Sequence, residues 1–495
     1  MPARRRSTSH NPGKQEPEAR EFIHGKDVTN VYDTRSRKTE EFRPIERGKV
    51  SMYTCGPTVY NYVHIGNLRT FIFYDIVKRA FRFNNYEVKH VMNITDVDDK
   101  TIKGAMESRV SLKEYTELYT GYFMEDIEKL NIAMDTKFTK ATDNIEEMQK
   151  IIVKLLKEGY AYEAEDGVYF NVSKFKDYGK LSGMKVNGQY SRIKNDEYDK
   201  ENASDFALWK YWDENDGEVY WGGKLKKGRP GWHIECSAMS MKYLGKTIDI
   251  HCGAVDLIFP HHENEIAQSE SYSKQKFVDY WLHGEHLLVN NQKMSKSLNN
   301  FYTLRDLENQ GFNPLSFRLM VIDSHYRNKL DFNFEGLKKY ERLLAKIDLA
   351  VKSLNKTEKY EEKEDKYSRI QTKEKVDGGL ESFKDAVNSD LNTHAALQNF
   401  FSLLDLADER VKKGKVDKGE FSMLSSAISK MNGFLGIYVD YEIPQEIIEL
   451  AEEREKKRKD KQFPEADILR ERINEKGYFI ADLPNTFVIT KKYLD

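Results

Sequence analysis

The sequence predicts an α/β protein built on a parallel sheet that an inserted module interrupts, with a helical bundle and a small domain after it. Three observations carry this reading. First, Val50 to Cys55 reads as a short strand closed by the turn signal Gly56-Pro57. After Gly66, the apolar residues Leu68, Phe71, Ile72, Ile76 and Ala80 keep helical spacing until Asn84-Asn85 stops them, and Val88 to Ile94 reads as a buried strand. A strand–helix–strand unit implies a parallel pair joined by a right-handed crossover. Second, the pattern recurs after Gly231. Trp232 to Leu244 reads as a helix, Ile248 to His251 as a strand, Glu263 to Ser273 as a helix and Trp281 to Asn290 as the closing strand. Two such halves predict a Rossmann-type nucleotide-binding sheet, whose ligands sit at the carboxyl ends of the strands. Third, Leu337, Tyr340, Leu344, Ile347 and Val351 repeat at the spacing of a bundle helix.

These elements divide the chain into an extension (1–27), the first half of the sheet domain (28–115), an inserted connective module (116–210), the second half (211–330), the bundle (331–440) and a terminal domain (441–495). Asn355 to Lys375 is almost entirely charged and reads as a solvated hairpin tip. Phe383, Val387, Leu391, Phe400, Phe401 and Leu404 resume the apolar face. The terminal domain carries the basic run Lys456-Lys-Arg-Lys459, then a second amphipathic helix ending at Gly477 and the β-like Thr486 to Thr490.

A chain of 495 residues should hold about three or four domains. Its hydrophobic fraction of 39% is enough for packed cores, and its 32% charged fraction predicts a wet surface. No apolar run approaches the ~18 residues of a membrane span. Three cysteines make no disulfide framework and suit a reducing compartment, so each is a candidate for metal or catalytic work. A net charge of −2 excludes a polycation but not nucleic acid, which needs only local basic faces. The start, Met1 to His10, is basic and lacks the apolar core of a secretory signal. It reads as a disordered extension. An organellar transit peptide is the alternative, but Glu16, Glu18 and Glu21 interrupt that pattern. A cytoplasmic location is expected.

His64-Ile-Gly-Asn67 lies between the first strand and the first helix. A helix N-terminus offers free N–H groups to phosphate, and Gly66 lets phosphate come close. A turn with a helix cap has the same look. Lys293-Met-Ser-Lys-Ser297 follows the last strand of the second half, where Lys293 and Lys296 can neutralise a leaving pyrophosphate. A solvated lysine loop is the plain alternative. Cys55, Cys236, and His261 with Glu265 one helical turn on supply two thiols, an imidazole and a carboxylate, a plausible tetrahedral zinc set. Buried cysteines and helical His/Glu pairs also occur without a metal.

The pairing of His64-Ile-Gly-Asn67 with Lys293-Met-Ser-Lys-Ser297 resembles the class I aminoacyl-tRNA synthetases, whose two signatures flank ATP. The segments Tyr53 to Tyr60, Gly228 to Met239 and Phe259 to Ile266 resemble the cysteinyl-tRNA synthetase family, as do Asn93 to Lys100, Asp205 to Lys210, Asp390 to Thr393 and Ile448 to Gly477. The likeness runs from about Asn30 to the end. It implies a cysteine–tRNA ligase that forms cysteinyl-adenylate from L-cysteine and ATP and passes cysteine to the 3′ end of tRNA(Cys). It implies one Zn²⁺ on Cys55, Cys236, His261 and Glu265, with Mg²⁺ accompanying ATP. His64, Asn67, Lys293 and Lys296 then act on the phosphates. Gly66, His251 and Asp256 complete the ATP site, and Gly56, Thr95 and Trp232 line the cysteine pocket. Trp232 reads equally as a core aromatic. The bundle and an anticodon-binding terminal domain hold tRNA, with Lys456 to Lys461 and Arg470 to Arg472 as candidate contacts. A monomer is expected.

Two departures stand out. Asn67 replaces the second histidine of its signature and can donate to phosphate without becoming cationic. In His251-Cys-Gly-Ala-Val-Asp-Leu257, Cys252 and Ala254 replace glycines near the expected nucleotide; Cys252 reads as a small buried residue. Three rivals share parts of the pattern. A ligase joining cysteine to an amino sugar has no use for the terminal domain. A synthetase-like RNA-binding protein usually loses a signature or a ligand, and a general nucleotidyltransferase lacks the zinc set.

Overall fold

A computed structural model describes residues 28–184, 191–193, 204–294, 298, 300–357, 366–414, 416–484 and 486–494. A hairpin of β1 (Asn30–Asp33) and β2 (Lys38–Glu41) leads into β3 (Lys49–Thr54), α1 (Ile65–Phe83), β4 (Glu87–Ile94), α2 (Asp99–Ser108), α3 (Leu112–Lys129) and β5 (Lys137–Lys140). Helix α1 starts where the His64 side chain caps it and stops at Asn84, after which Asn85 turns at φ 63°. Its apolar face buries Ile65, Leu68, Ile72, Val77 and Phe81 against the sheet.

The chain then forms α4 (Ile145–Lys157), β6 (Ala161–Glu163), β7 (Gly167–Phe170), β8 (Ser191–Ile193), β9 (Ser204–Tyr211) and β10 (Gly228–Pro230). It returns through α5 (Trp232–Leu244), β11 (Ile248–Ala254), α6 (Glu263–Ser273) and β12 (Val278–Gly284). The central sheet is parallel with strand order β12-β11-β3-β4-β5. The two halves therefore meet between β3 and β11, the switch point at which such sheets bind ligands.

The sheets put the module boundary elsewhere than expected. Strand β5, expected inside a module of 116–210, pairs with β4, whereas β10, expected in the second half, pairs with β9. The separate sheet β6 to β10 runs from Ala161 to Pro230, because Phe170, Phe206 and Trp209 need a common apolar layer.

The expected strand Trp281 to Asn290 is also divided. Strand β12 ends at Gly284, and β13 (Leu287–Val289) joins a different sheet with β14 (Gln292–Lys293) and β15 (Leu330–Phe332). The buried Arg69 guanidinium explains the break, since it donates to the carbonyls of His286 and Asn328 and draws the chain out of the ladder.

Helices α7 (Leu304–Asn309) and α8 (Pro314–Ile322) lead to the bundle of α9 (Phe334–Lys356), α10 (Lys366–Asn388), α11 (Thr393–Lys412) and α12 (Lys418–Leu435). Residues 358–365 of the expected hairpin lie outside the described residues. Its end, from Lys366, is helical instead, because Ser368 and Thr372 donate to the buried Glu420 and Val376 enters the core. Arg318 of α8 ties bundle to sheet domain, donating to Asp75, Leu130 and Leu435.

The terminal segment folds as α13 (Gln445–Lys459), α14 (Phe463–Glu475), β16 (Tyr478–Asp482) and β17 (Phe487–Lys491) around a small core that includes Ile447, Leu450, Leu469, Ile473 and Ile480. Among the described residues, no helix is long and apolar enough to cross a membrane.

Candidate active site

A cavity of about 350 Å³ opens at the carboxyl ends of β3 and β11. Of the residues singled out in the sequence, Cys55, Gly56, His64, Gly66, Asn67, Trp232, Cys236, Asp256, His261 and Lys293 lie on its wall. Four side chains converge at its floor, three of them on the cavity wall and Glu265 directly behind. Cys55 follows β3, Cys236 lies on the first turns of α5, His261 precedes α6 and Glu265 lies within it. Their thiol, imidazole and carboxylate atoms all fall within 4.8 Å of one another, and all four residues are buried. His261 Nε2 lies 3.0 Å from Glu265 Oε1, and the Cys55 thiol points at the same oxygen from 3.9 Å.

Behind this floor is a layer of histidines, of which the sequence singled out only His251. His233 Nδ1 meets His261 Nδ1 at 2.9 Å, His251 Nε2 meets Glu265 Oε2 at 3.0 Å, and His262 Nε2 meets Cys55 Sγ at 3.3 Å. His283 in turn supports His262 at 2.8 Å. Such partners hold ligands in one orientation. Cys55, His251, His262 and Glu265 form a second close group, but of these only Cys55 reaches the cavity wall.

The floor is built to attract a cation. Burial opposes ionisation of Cys236, yet hydrogen bonds with Cys55 and His261 bring its thiol down to about 6. Burial and Cys236 together push the Cys55 thiol up. Burial also works against charge on Glu265, but His251 and His261 hold its carboxyl below the usual range. His261, opposed by burial, is raised to about 10 by Cys236 and Glu265. A thiolate and a carboxylate thus share one proton-bearing imidazole in a dry site, the arrangement that metal ions displace protons from.

Comparison with known proteins places the chain. The family model of the tRNA synthetases class I (C) catalytic domain matches residues 41–342. A cysteine–tRNA ligase of Brachyspira hyodysenteriae is 44% identical over 474 residues, 93% of this chain and 98% of its own length. That of Chlamydia felis is 46% identical over 459 residues, 91% and 95% of the two chains. The chain belongs to the cysteine–tRNA ligase family of class I synthetases.

Solved class I synthetases share the fold. Methionyl-tRNA synthetase of Mycobacterium tuberculosis, in complex with methionyl-adenylate, superimposes with a TM-score of 0.56 at 14% identity, covering 79% of this chain and 90% of its own. LeuRS of Agrobacterium radiobacter K84, in a ternary complex with tRNA and LeuAMS, does so with a TM-score of 0.58 at 10% identity, covering 80% and 85%.

Opposite the floor of this synthetase's cavity is the wall made by the two signatures. His64 Nδ1 accepts from the N–H groups of Gly66 and Asn67 at 3.1 and 3.3 Å. Burial lowers its pKa to about 4. The ring is therefore neutral at pH 7 with its proton on Nε2, a donor for phosphate. Asn67 and Lys293 are exposed, and Lys293 sits on β14 opposite Leu288. Lys296 lies outside the described residues.

Gly56 is required where it stands, because a Cβ there would come 1.7 Å from the carbonyl oxygen of Asn93. Its N–H donates to Asn93 Oδ1 at 2.8 Å. Trp232 is a wall residue rather than a core aromatic, its ring 4.2 Å from that of His261.

Two residues expected at the substrates lie behind the cavity wall. Thr95 lies behind Asn93 and donates to Glu235 at 2.8 Å, so it does not face the cavity. His251, expected at the nucleotide, is fully buried on β11, stacked 4.7 Å from Trp281 and committed to Glu265. Cys252 is buried in the core, as expected of a small residue. Asn93, a hinge between Gly56 and Thr95, was not singled out, although its amide is the natural partner for a glycine N–H at a strand end.

Proposed function

We propose that the chain activates L-cysteine with ATP to cysteinyl-adenylate and transfers it to the 3′ end of tRNA(Cys), with a zinc ion on Cys55, Cys236, His261 and Glu265 selecting the substrate thiol. The observation that carries this is the convergence of two thiols and an imidazole on the wall of the cavity that also bears His64 and Lys293, with a carboxylate directly behind them. Zinc bound there supplies a thiophilic partner that favours the thiolate of cysteine over the hydroxyl of serine or the methyl of alanine.

The chain's own residues do the rest. Trp232 and Gly56 shape the cysteine end, Asn93 keeping Gly56 in place, while Thr95 acts from behind. Asp256, Gly66 and Asn67 line the ATP end, where Mg²⁺ enters with ATP. As the cysteine carboxylate attacks the α-phosphate, neutral His64 donates through Nε2, and Lys293 and Lys296 balance charge on the departing pyrophosphate. The bundle and terminal domain take the remainder of the tRNA. Among the basic residues proposed for that contact, Arg458 and Arg470 are engaged with Asp482.

The test is charging of tRNA(Cys) with cysteine beside serine and alanine, on protein assayed for bound zinc. Cysteine-specific charging with about one zinc per chain supports the reading. Cysteine-dependent ATP–pyrophosphate exchange without charging removes the tRNA step. Charging that is indifferent to zinc removal overturns the selection.

A further inference from the structure

Both chain segments that bound the terminal domain meet at a single carboxylate. Asp348 of α9 is fully buried, and its Oδ2 accepts from the hydroxyls of Tyr441 and Tyr493, the latter at 3.1 Å. Tyr441 precedes α13 and Tyr493 follows β17, so one side chain grips the entrance and the exit of the domain. The Tyr441 oxygen also accepts from the Lys491 N–H at 2.7 Å, closing a ring of contacts around the two ends. Lys352, one turn along α9, places its ammonium 3.7 Å from the Tyr441 ring.

This grip is chemically expensive. Burial pushes the Asp348 carboxyl up, and its Oδ1 has no hydrogen-bond partner among the described residues. An apolar residue at that point of α9 would avoid the desolvation penalty, but it would let the domain slide. A buried polar group that accepts two directional bonds specifies one arrangement. The terminal core is small, so its own packing contributes little to fixing its orientation.

We propose that Asp348 is a positioning residue for tRNA, setting the orientation of the terminal domain against α9 through Tyr441 and Tyr493. The inference rests on the proposed function, since orientation matters only if one tRNA spans cavity and terminal domain. It places the effect in full-length tRNA alone, because a minihelix carrying only the acceptor stem never reaches the terminal domain.

The test compares full-length wild type with Tyr441→Phe, Tyr493→Phe, their double and Asp348→Asn. The phenylalanines keep the rings and remove only the hydroxyls, and asparagine keeps an acceptor. The double variant should raise KM for full-length tRNA(Cys) about tenfold, with minihelix charging and cysteine-dependent ATP–pyrophosphate exchange unchanged within about twofold. Asp348→Asn should fall between the double variant and wild type. An unchanged KM for full-length tRNA in every variant overturns the inference while wild type still charges. An equal loss on the minihelix and in exchange also overturns it, as damage to the whole fold. Wild type that charges no tRNA is a separate result and removes the proposed function beneath it.

Discussion

At the floor of the cavity and just behind it, Cys236, His261 and Glu265 are at most 1% exposed and each is held by a second residue, whereas elsewhere on the wall Asn67 and Lys293 are exposed. The floor has its charge arranged before substrate arrives, as a site must if it discriminates between a thiol and a hydroxyl of similar size. The phosphate wall has to admit ATP and release pyrophosphate, and exposed side chains at a helix start and on a short strand suit that traffic better than a buried lattice. Under the proposed function, selection and turnover fall to different walls, so they should respond separately to mutation.

The largest expected effect is on the floor. Cys236→Ser removes a thiolate from a dry four-ligand set, so zinc content and cysteine-dependent exchange should both fall to background. A variant that kept its zinc and its preference for cysteine would break the comparison. Lys293→Ala tests the other wall. It should reduce the rate of adenylate formation ~10²–10³-fold, the usual cost of losing one donor to developing charge, while zinc content and cysteine affinity stay as they were.

His251→Gln is a sharper probe because the sequence and the structure assign that residue to different walls. As a partner of Glu265, its loss should weaken zinc binding ~10–100-fold and leave KM for ATP alone. A rise in KM for ATP with zinc unaffected would restore the nucleotide role. The measurement is zinc competition by a chelator beside exchange kinetics.

How far the site was legible follows from these same residues. The cluster of Cys55, Cys236, His261 and Glu265 could be read because these residues sit in short segments with family-like neighbours. The helices α1, α5 and α6 could be read because their apolar spacing and stop signals are local. His233, His262 and His283 could not be ranked, since a histidine's role depends on which nitrogen meets which neighbour across the sheet. Even so, the adjacent pair His261-His262 was a signal of a crowded site. The breaks at Gly284 and at the module boundary were hidden for the same reason. They depend on Arg69 reaching the carbonyls of His286 and Asn328, and on β5 finding β4, which are contacts between segments far apart in the chain.

Acid should expose a further difference, this time in stability. His90 is buried on β4, bonded to Thr54 and Thr136, and burial lowers its pKa to about 3 from 6.5. The folded value lies below the unfolded one, so between these limits the unfolded chain binds the extra proton. Stability is then complete above pH 6.5 and falls as pH drops, by about 2 kcal/mol at pH 5 from this group. Denaturant titrations at pH 7.5 and 5 should show the loss, and His90→Asn should flatten it.

The smallest effect concerns the altered glycine run. Only Gly253 is sterically required there, because a Cβ would come 2.3 Å from the His262 ring, and that glycine is present. Cys252 points into the core and Ala254 onto the cavity wall, so neither replacement closes on a neighbour. Ala254→Gly should therefore change KM for ATP by only about twofold, within ~0.5 kcal/mol, as substitutions away from strained features do. Gly253→Ala should instead disturb His262 and, through Cys55, the zinc site. If Ala254→Gly lowered KM tenfold, the methyl would be crowding the nucleotide, and the phosphate wall would be less adapted to its substrate than its open geometry implies.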